Sequence, residues 1–197
     1  MNKRLLWGLL LFNAVALPAL YMMGHPRFTQ GTKTDTAELA DYGALLDFEL
    51  VRENGLIFGS EDMKGHLWVT DFIFTRCPNM CPMMSAKFAV LQDRLPQDVK
   101  LASFSVDPTN DTPEVFKKYA GNYGAKPERW AFITGDAGTL KKIKEAAHTG
   151  NGDDPSLHSL RFALLDKKLH LRGYYDSTEN DWLKKIQSDI ERLRKEK

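Results

Sequence analysis

The sequence predicts a three-layer α/β sandwich, and three observations carry that expectation. Short apolar runs rich in β-branched and aromatic residues, "HLWVTDFIF", "VKLASFSVD" and "WAFIT", recur at 66–74, 99–107 and 130–134 with helical patterns between them. That alternation builds parallel strands joined by crossover helices. A hairpin signal comes next, "SLRFALLD" and "LHLRGYY" about an Asp166-Lys167-Lys168 turn, and an amphipathic helix closes the chain. A length of 197 residues suits one such domain with a short appendage.

Each element has its own signal. "DFELVREN" and "GLIFGSEDM" read as an opening hairpin ahead of the first long strand. From Pro82 to Leu95, Met84, Phe88, Leu91 and Leu95 recur at helical spacing and share one face. Asp111-Thr112-Pro113 supplies a cap and then a proline at the first helical position, opening "EVFKKYAGNY". Thr139 to Ala147 reads as a helix, and the last helix carries Trp182, Ile186, Ile190 and Leu193 in one apolar stripe. Parallel strands joined by helices, then a hairpin and a final helix, describe a thioredoxin-like arrangement over residues 45–197.

The N-terminus differs in kind. Lys3 and Arg4, in a cytoplasmic stub of residues 1–4, precede "LLWGLLLFNAVALPALYMM", an uncharged run about one bilayer crossing long. Residues 5–23 are therefore expected to be an uncleaved transmembrane helix, with a cleaved signal peptide as the alternative because Ala14-Val15-Ala16 resembles a small-residue cleavage site. Either way the positive charge before the run sends the domain outward, to the periplasmic side of a bacterial inner membrane. Residues 24–44, polar with Gly and Pro, read as a tether. The 27 Lys and Arg against 26 Asp and Glu give a net charge of +1, and the basic residues are scattered. That pattern argues against a nucleic-acid partner.

The only two cysteines, Cys77 and Cys81, lie in "TDFIFTRCPNMCPMM" at the end of the first long strand. Each precedes a proline, which pushes it away from helical geometry, so Cys81 is expected to be the N-cap of a helix beginning at Pro82. Two thiols joined by so short a turn can close a disulfide ring or converge on one metal, and a helix N-terminus favours a thiolate there. A purely structural disulfide would add little rigidity over so short a loop. Three intervening residues relax the geometry compared with a Cys-x-x-Cys reductant and suit a chelate. Soft thiolates select copper(I), with imidazole as a common third donor.

Of the five histidines, His25 falls in the tether, His66 in the turn before the first long strand, His148 near a helix end, and His170 outward in the hairpin. His158 ends the loop "HTGNGDDPSL" and precedes the strand "SLRFALLD", where a thioredoxin-like sandwich brings it to face the cysteine turn. It is the expected third ligand. Met80, Met83 and Met84 surround the thiols; they are either further soft donors or packing residues, Met84 above all the latter.

The motifs "DFIFTRCPNMCPMM", "SFSVDPTNDTPEVFKKYA", "RWAFITG" and "HSLRFALLD" together resemble the Sco/SenC family over about residues 43–176. These are membrane-tethered thioredoxin-like factors for assembly of the copper centre of cytochrome c oxidase. The resemblance implies Cys77, Cys81 and His158 as metal ligands, copper(I) or copper(II) as the ion, and Asp107 near the site. It also implies an oxidase copper subunit or another copper acceptor as client, and a thioredoxin-like reductant as a partner. Many relatives have an acidic residue where this chain has Asn79, so one negative charge near the metal is missing. Two other functions remain open on the residues themselves: a thiol-disulfide oxidoreductase working on a copper acceptor through Cys77 and Cys81, and a thioredoxin-superfamily peroxidase with Arg76 beside its thiolate.

Overall fold

A computed structural model of the chain describes residues 38–148 and 160–196. No helix among them is long and apolar enough to cross a membrane; residues 5–23 and His158 lie outside the described residues.

The opening hairpin is β1 (Glu49–Arg52) and β2 (Ile57–Gly59), and "SEDM", read with it from the sequence, instead forms the one-turn helix α1 (Ser60–Met63). Then come β3 (Leu67–Ile73), α2 (Met80–Arg94), β4 (Val99–Ser105), α3 (Pro113–Asn122), β5 (Trp130–Thr134) and α4 (Ala137–His148). The hairpin β6 (Arg161–Leu165) and β7 (Leu171–Asp176) and the helix α5 (Trp182–Lys195) complete the domain. The seven strands form one sheet in the order β2-β1-β5-β4-β3-β6-β7. β3, β4 and β5 run parallel at its centre, as crossover helices require, and β6 is antiparallel to β3.

Alternation along the strands splits the core. On one face Leu67, Val69, Ile73, Leu101, Trp130, Phe132, Phe162 and Leu164 pack against Phe88 and Leu91 of α2, Phe116 of α3, and Ile186 and Ile190 of α5. On the other, Trp68, Ala102, Phe104 and Ile133 meet Met63, Leu140 and Ile143 of α1 and α4. These are the three layers. Phe88 sits with its ring 4.9 Å from Phe162 and 5.5 Å from Trp130. Burying a ring of that size stabilises by about 1.5–3 kcal/mol, which anchors α2 on the sheet.

Residues 39–44, which the sequence reading places in the tether, and Leu45 lie along β7. The Tyr42 amide donates to the Leu171 carbonyl and the Leu45 amide to the Leu169 carbonyl, both at 2.9 Å. Buried Arg172 donates to the carbonyls of Leu39 and Ala40 and pairs with Asp166 and Glu196. One guanidinium thus ties both ends of the described domain to the hairpin. The segment itself covers the β7 edge, which would otherwise present unpaired backbone groups.

Candidate metal centre

The β3 strand delivers the chain to the C-terminal end of the sheet. Residues 74–79 turn there, with the Cys77 amide donating to the Phe74 carbonyl at 3.3 Å, and α2 begins. Its N-cap is Asn79, whose side chain makes no capping hydrogen bond. Cys81 is therefore the second helical residue and not the N-cap, a correction to the sequence reading. Pro82 falls third, inside the first turn, where a backbone N–H has no intrahelical partner and a proline removes nothing.

The missing cap is supplied by sulfur: the Cys81 amide donates to Cys77 Sγ at 3.3 Å. Both thiols are free and buried, Cys77 at 8% and Cys81 at 5% exposure. Burial pushes the Cys77 thiol up. The backbone N–H groups of Cys81, Asn79 and Met80 and the Cys81 thiol more than offset this, so its pKa ends below the ordinary value. Cys81 is pushed up to about 12, first by burial, with the negative charges of Cys77 and Asp71 adding to it. The pair is thus asymmetric: one sulfur is ready to be a thiolate and the other holds its proton.

Two further loop carboxylates organise the surroundings. Asp107 accepts from Arg76 Nη2 at 3.2 Å and from Asn110 Nδ2 at 2.8 and 2.9 Å. Its charge therefore serves the loop, and Arg76 is turned toward it. Asp111, fully buried, accepts from the Thr75 amide at 3.0 Å, Thr75 Oγ1 at 2.6 Å and Ser105 Oγ at 2.6 Å. Sequence reasoning placed Asp111 only in a helix cap. Thr112 is the cap residue, accepting from the Val115 amide, which leaves Asp111 free for the cysteine loop.

The other candidates separate clearly. Met84 is core, Met80 packs half-buried against the same cluster, and Met83 is exposed. His66 precedes β3 at the opposite end of the strand from Cys77, and His170 Nδ1 lies 2.8 Å from Asp41. Among the described residues, no three of His, Cys, Asp and Glu converge as a metal-binding set. Ala163 pairs with Thr70, so the chain leading into Arg161 is at the end of the sheet where β3 releases the cysteine loop. Leu160 packs on the core that includes Cys77 and Cys81. The donors in view, two adjacent sulfurs, fit a soft cation.

The SCO1/SenC family profile matches residues 35–194. The chain is 35% identical over 152 residues to the SCO1 protein homolog of Bacillus subtilis, covering 73% of this chain and 79% of that one. A Stutzerimonas stutzeri protein named for copper binding is 29% identical over 177 residues, 84% of each chain. The solved structure of BsSco, described as a member of the Sco family of cytochrome c oxidase assembly proteins with a disulfide switch, superposes with a TM-score of 0.69 at 28% identity, covering 82% of this chain and all of that one. Sequence and fold agree, and this chain belongs to the SCO1/SenC family.

Proposed function

We propose that the domain is a copper-binding factor for assembly of the copper centre of cytochrome c oxidase, with Cys77, Cys81 and His158 as ligands. The observation that carries this is the sulfur pair, two free buried thiols linked through the Cys81 amide at the head of α2. Thiolate sulfur selects copper(I), and an imidazole would extend the set to copper(II). The relatives named for copper binding and oxidase assembly support the same reading. Copper here is cargo, received from one protein and passed to an oxidase copper subunit or another acceptor. Residues 5–23 would hold the domain at the outer face of a bacterial inner membrane.

The asymmetry of the thiols also favours a second activity at the same site. A sulfur with lowered pKa attacks a protein disulfide and releases one of its sulfurs as a thiolate. The neighbouring thiol then gives up its proton, attacks the mixed disulfide and closes the Cys77–Cys81 disulfide, leaving the target dithiol reduced. An oxidised pair cannot bind metal, because a disulfide offers no thiolate. A thioredoxin-like reductant would therefore be needed before loading.

Copper loading of the full chain under reducing conditions tests the ligand set. One copper per chain is expected for the wild type, none for Cys77→Ser or Cys81→Ser, and weakened binding for His158→Ala, most for copper(II), which prefers a nitrogen donor. Unchanged stoichiometry and spectrum in His158→Ala would remove that residue from the site. Retained binding in the serine variants would remove copper ligation from the cysteines.

A further inference from the structure

We propose that Asp111 is a positioning residue for the cysteine pair: its buried carboxylate holds the β3–α2 loop against the β4–α3 loop and thereby sets where the Cys77 sulfur sits. The inference rests on the reading that the thiol pair is the functional site.

The two loops leave adjacent parallel strands side by side, the Val106 amide still donating to the Ile73 carbonyl at 2.9 Å. Beyond that point strand pairing ends, and Asp111 takes over. One of its oxygens, Oδ1, accepts both the amide and the hydroxyl of Thr75, two residues before Cys77. The other, Oδ2, accepts from Ser105 Oγ. Ser105 Oγ also accepts from the Asp107 amide at 3.0 Å, while its own proton goes to the Asp111 carboxylate, which can only accept. The relay runs from the Asp107 amide through Ser105 to Asp111, with Thr75 arriving from the other side. A carboxylate accepts from all three donors, whereas an amide at 111 would present an NH2 group to at least one of them and lose that acceptor.

Downstream, the Asn79 side chain makes no capping hydrogen bond, and the Arg76–Asp107 pair is open to solvent. The 3.3 Å contact between the Cys81 amide and Cys77 Sγ therefore depends on where Thr75 is held. Freed of Asp111, the loop would lose the alignment that stabilises the reduced sulfur with α2 backbone N–H groups. The dithiol would then be easier to oxidise.

Equilibration of the full chain with glutathione redox buffers, followed by alkylation and mass measurement, reads this directly and involves no copper. Failure of copper binding would therefore leave the result intact, and a null result here would leave copper binding intact. Thr75→Val and Asp111→Asn are expected to shift the equilibrium constant at least tenfold toward the disulfide, equal to about 30 mV for a two-electron couple. Thr75→Ser, which restores the hydroxyl, is expected to stay within twofold of wild type. Glu53→Gln alters another buried carboxylate, one that accepts from the Phe132 amide away from the cysteine loop; it is expected to lower stability in urea while leaving the equilibrium within twofold. Values within twofold of wild type for both Thr75→Val and Asp111→Asn, or an equal shift in Glu53→Gln, would overturn the assignment. Should either loop variant fail to fold, Ser105→Ala leaves the Thr75 bonds in place and is expected to shift the equilibrium the same way by a smaller factor; no shift there would also overturn it.

Discussion

Two carboxylates flank the cysteine site, both with no solvent exposure, and they are treated in opposite ways. Asp111, in the loop after β4, receives three hydrogen bonds. Asp71, in the middle of β3, faces the helical core between Val69 and Ile73, and neither of its oxygens has a hydrogen-bond partner. Burial pushes its pKa up to about 7. The Ser103 hydroxyl beside it in β4 lowers it only in part, without a hydrogen bond of normal geometry, and already accepts from Trp130 Nε1 at 3.0 Å. Equal burial therefore says nothing about cost. Donors decide whether a buried carboxylate holds structure together or strains it.

The same Asp→Asn change should accordingly have opposite signs at the two positions. Asp71 has a folded pKa above its ordinary value of 3.8, so its contribution to stability is fully present below that pH and is lost as pH rises through about 7. The interval from 3.8 to about 7 corresponds to at most about 4 kcal/mol. Asp71→Asn should match the wild type near pH 3.5 and exceed it by up to that amount at pH 8. Asp111→Asn breaks up a set of hydrogen bonds to a buried carboxylate and should cost about 2–3 kcal/mol. Urea unfolding of both variants at pH 5 and pH 8 checks the pair. Equal signs at pH 8 would show that hydrogen-bond donors do not set the cost of burying these two carboxylates.

Outside the Asp111 clamp the bonds weaken. Arg76 and Asp107 pair at 3.2 Å with Arg76 66% exposed, and an exposed pair of this kind contributes about 0.2–1 kcal/mol. Arg76→Ala should fall in that range in urea unfolding and vanish at high salt. A larger, salt-independent loss would make the outer pair part of the clamp.

Much of this was legible in the chain. The apolar strands, the hairpin turn and the α5 stripe came from local periodicity, and the cysteine pair from its setting between a strand and a helix. The beginning of α2 was not legible: the sulfur cap from Cys77 and the tolerance of the first turn for Pro82 are visible only in three dimensions. Asp71 was hidden inside a run that reads as apolar. Asp111 looked like part of a helix cap because its partner Thr75 is 36 residues away, beyond any local pattern. The pairing of residues 39–45 with β7 was missed for the same reason, since a polar stretch held by backbone hydrogen bonds and Arg172 carries no hydrophobic signature. His158 rested on topology and on the family resemblance, and it lies outside the described residues.

On the proposed function, copper and the disulfide compete for the same two sulfurs. A redox titration of the Cys77/Cys81 couple in the full chain, with and without copper(I), measures that competition. If copper binds only the reduced pair, the midpoint potential should move to more positive values, each 30 mV corresponding to about 1.4 kcal/mol of preferential binding. A midpoint that does not move, or an oxidised protein that binds copper as tightly as the reduced one, would contradict it.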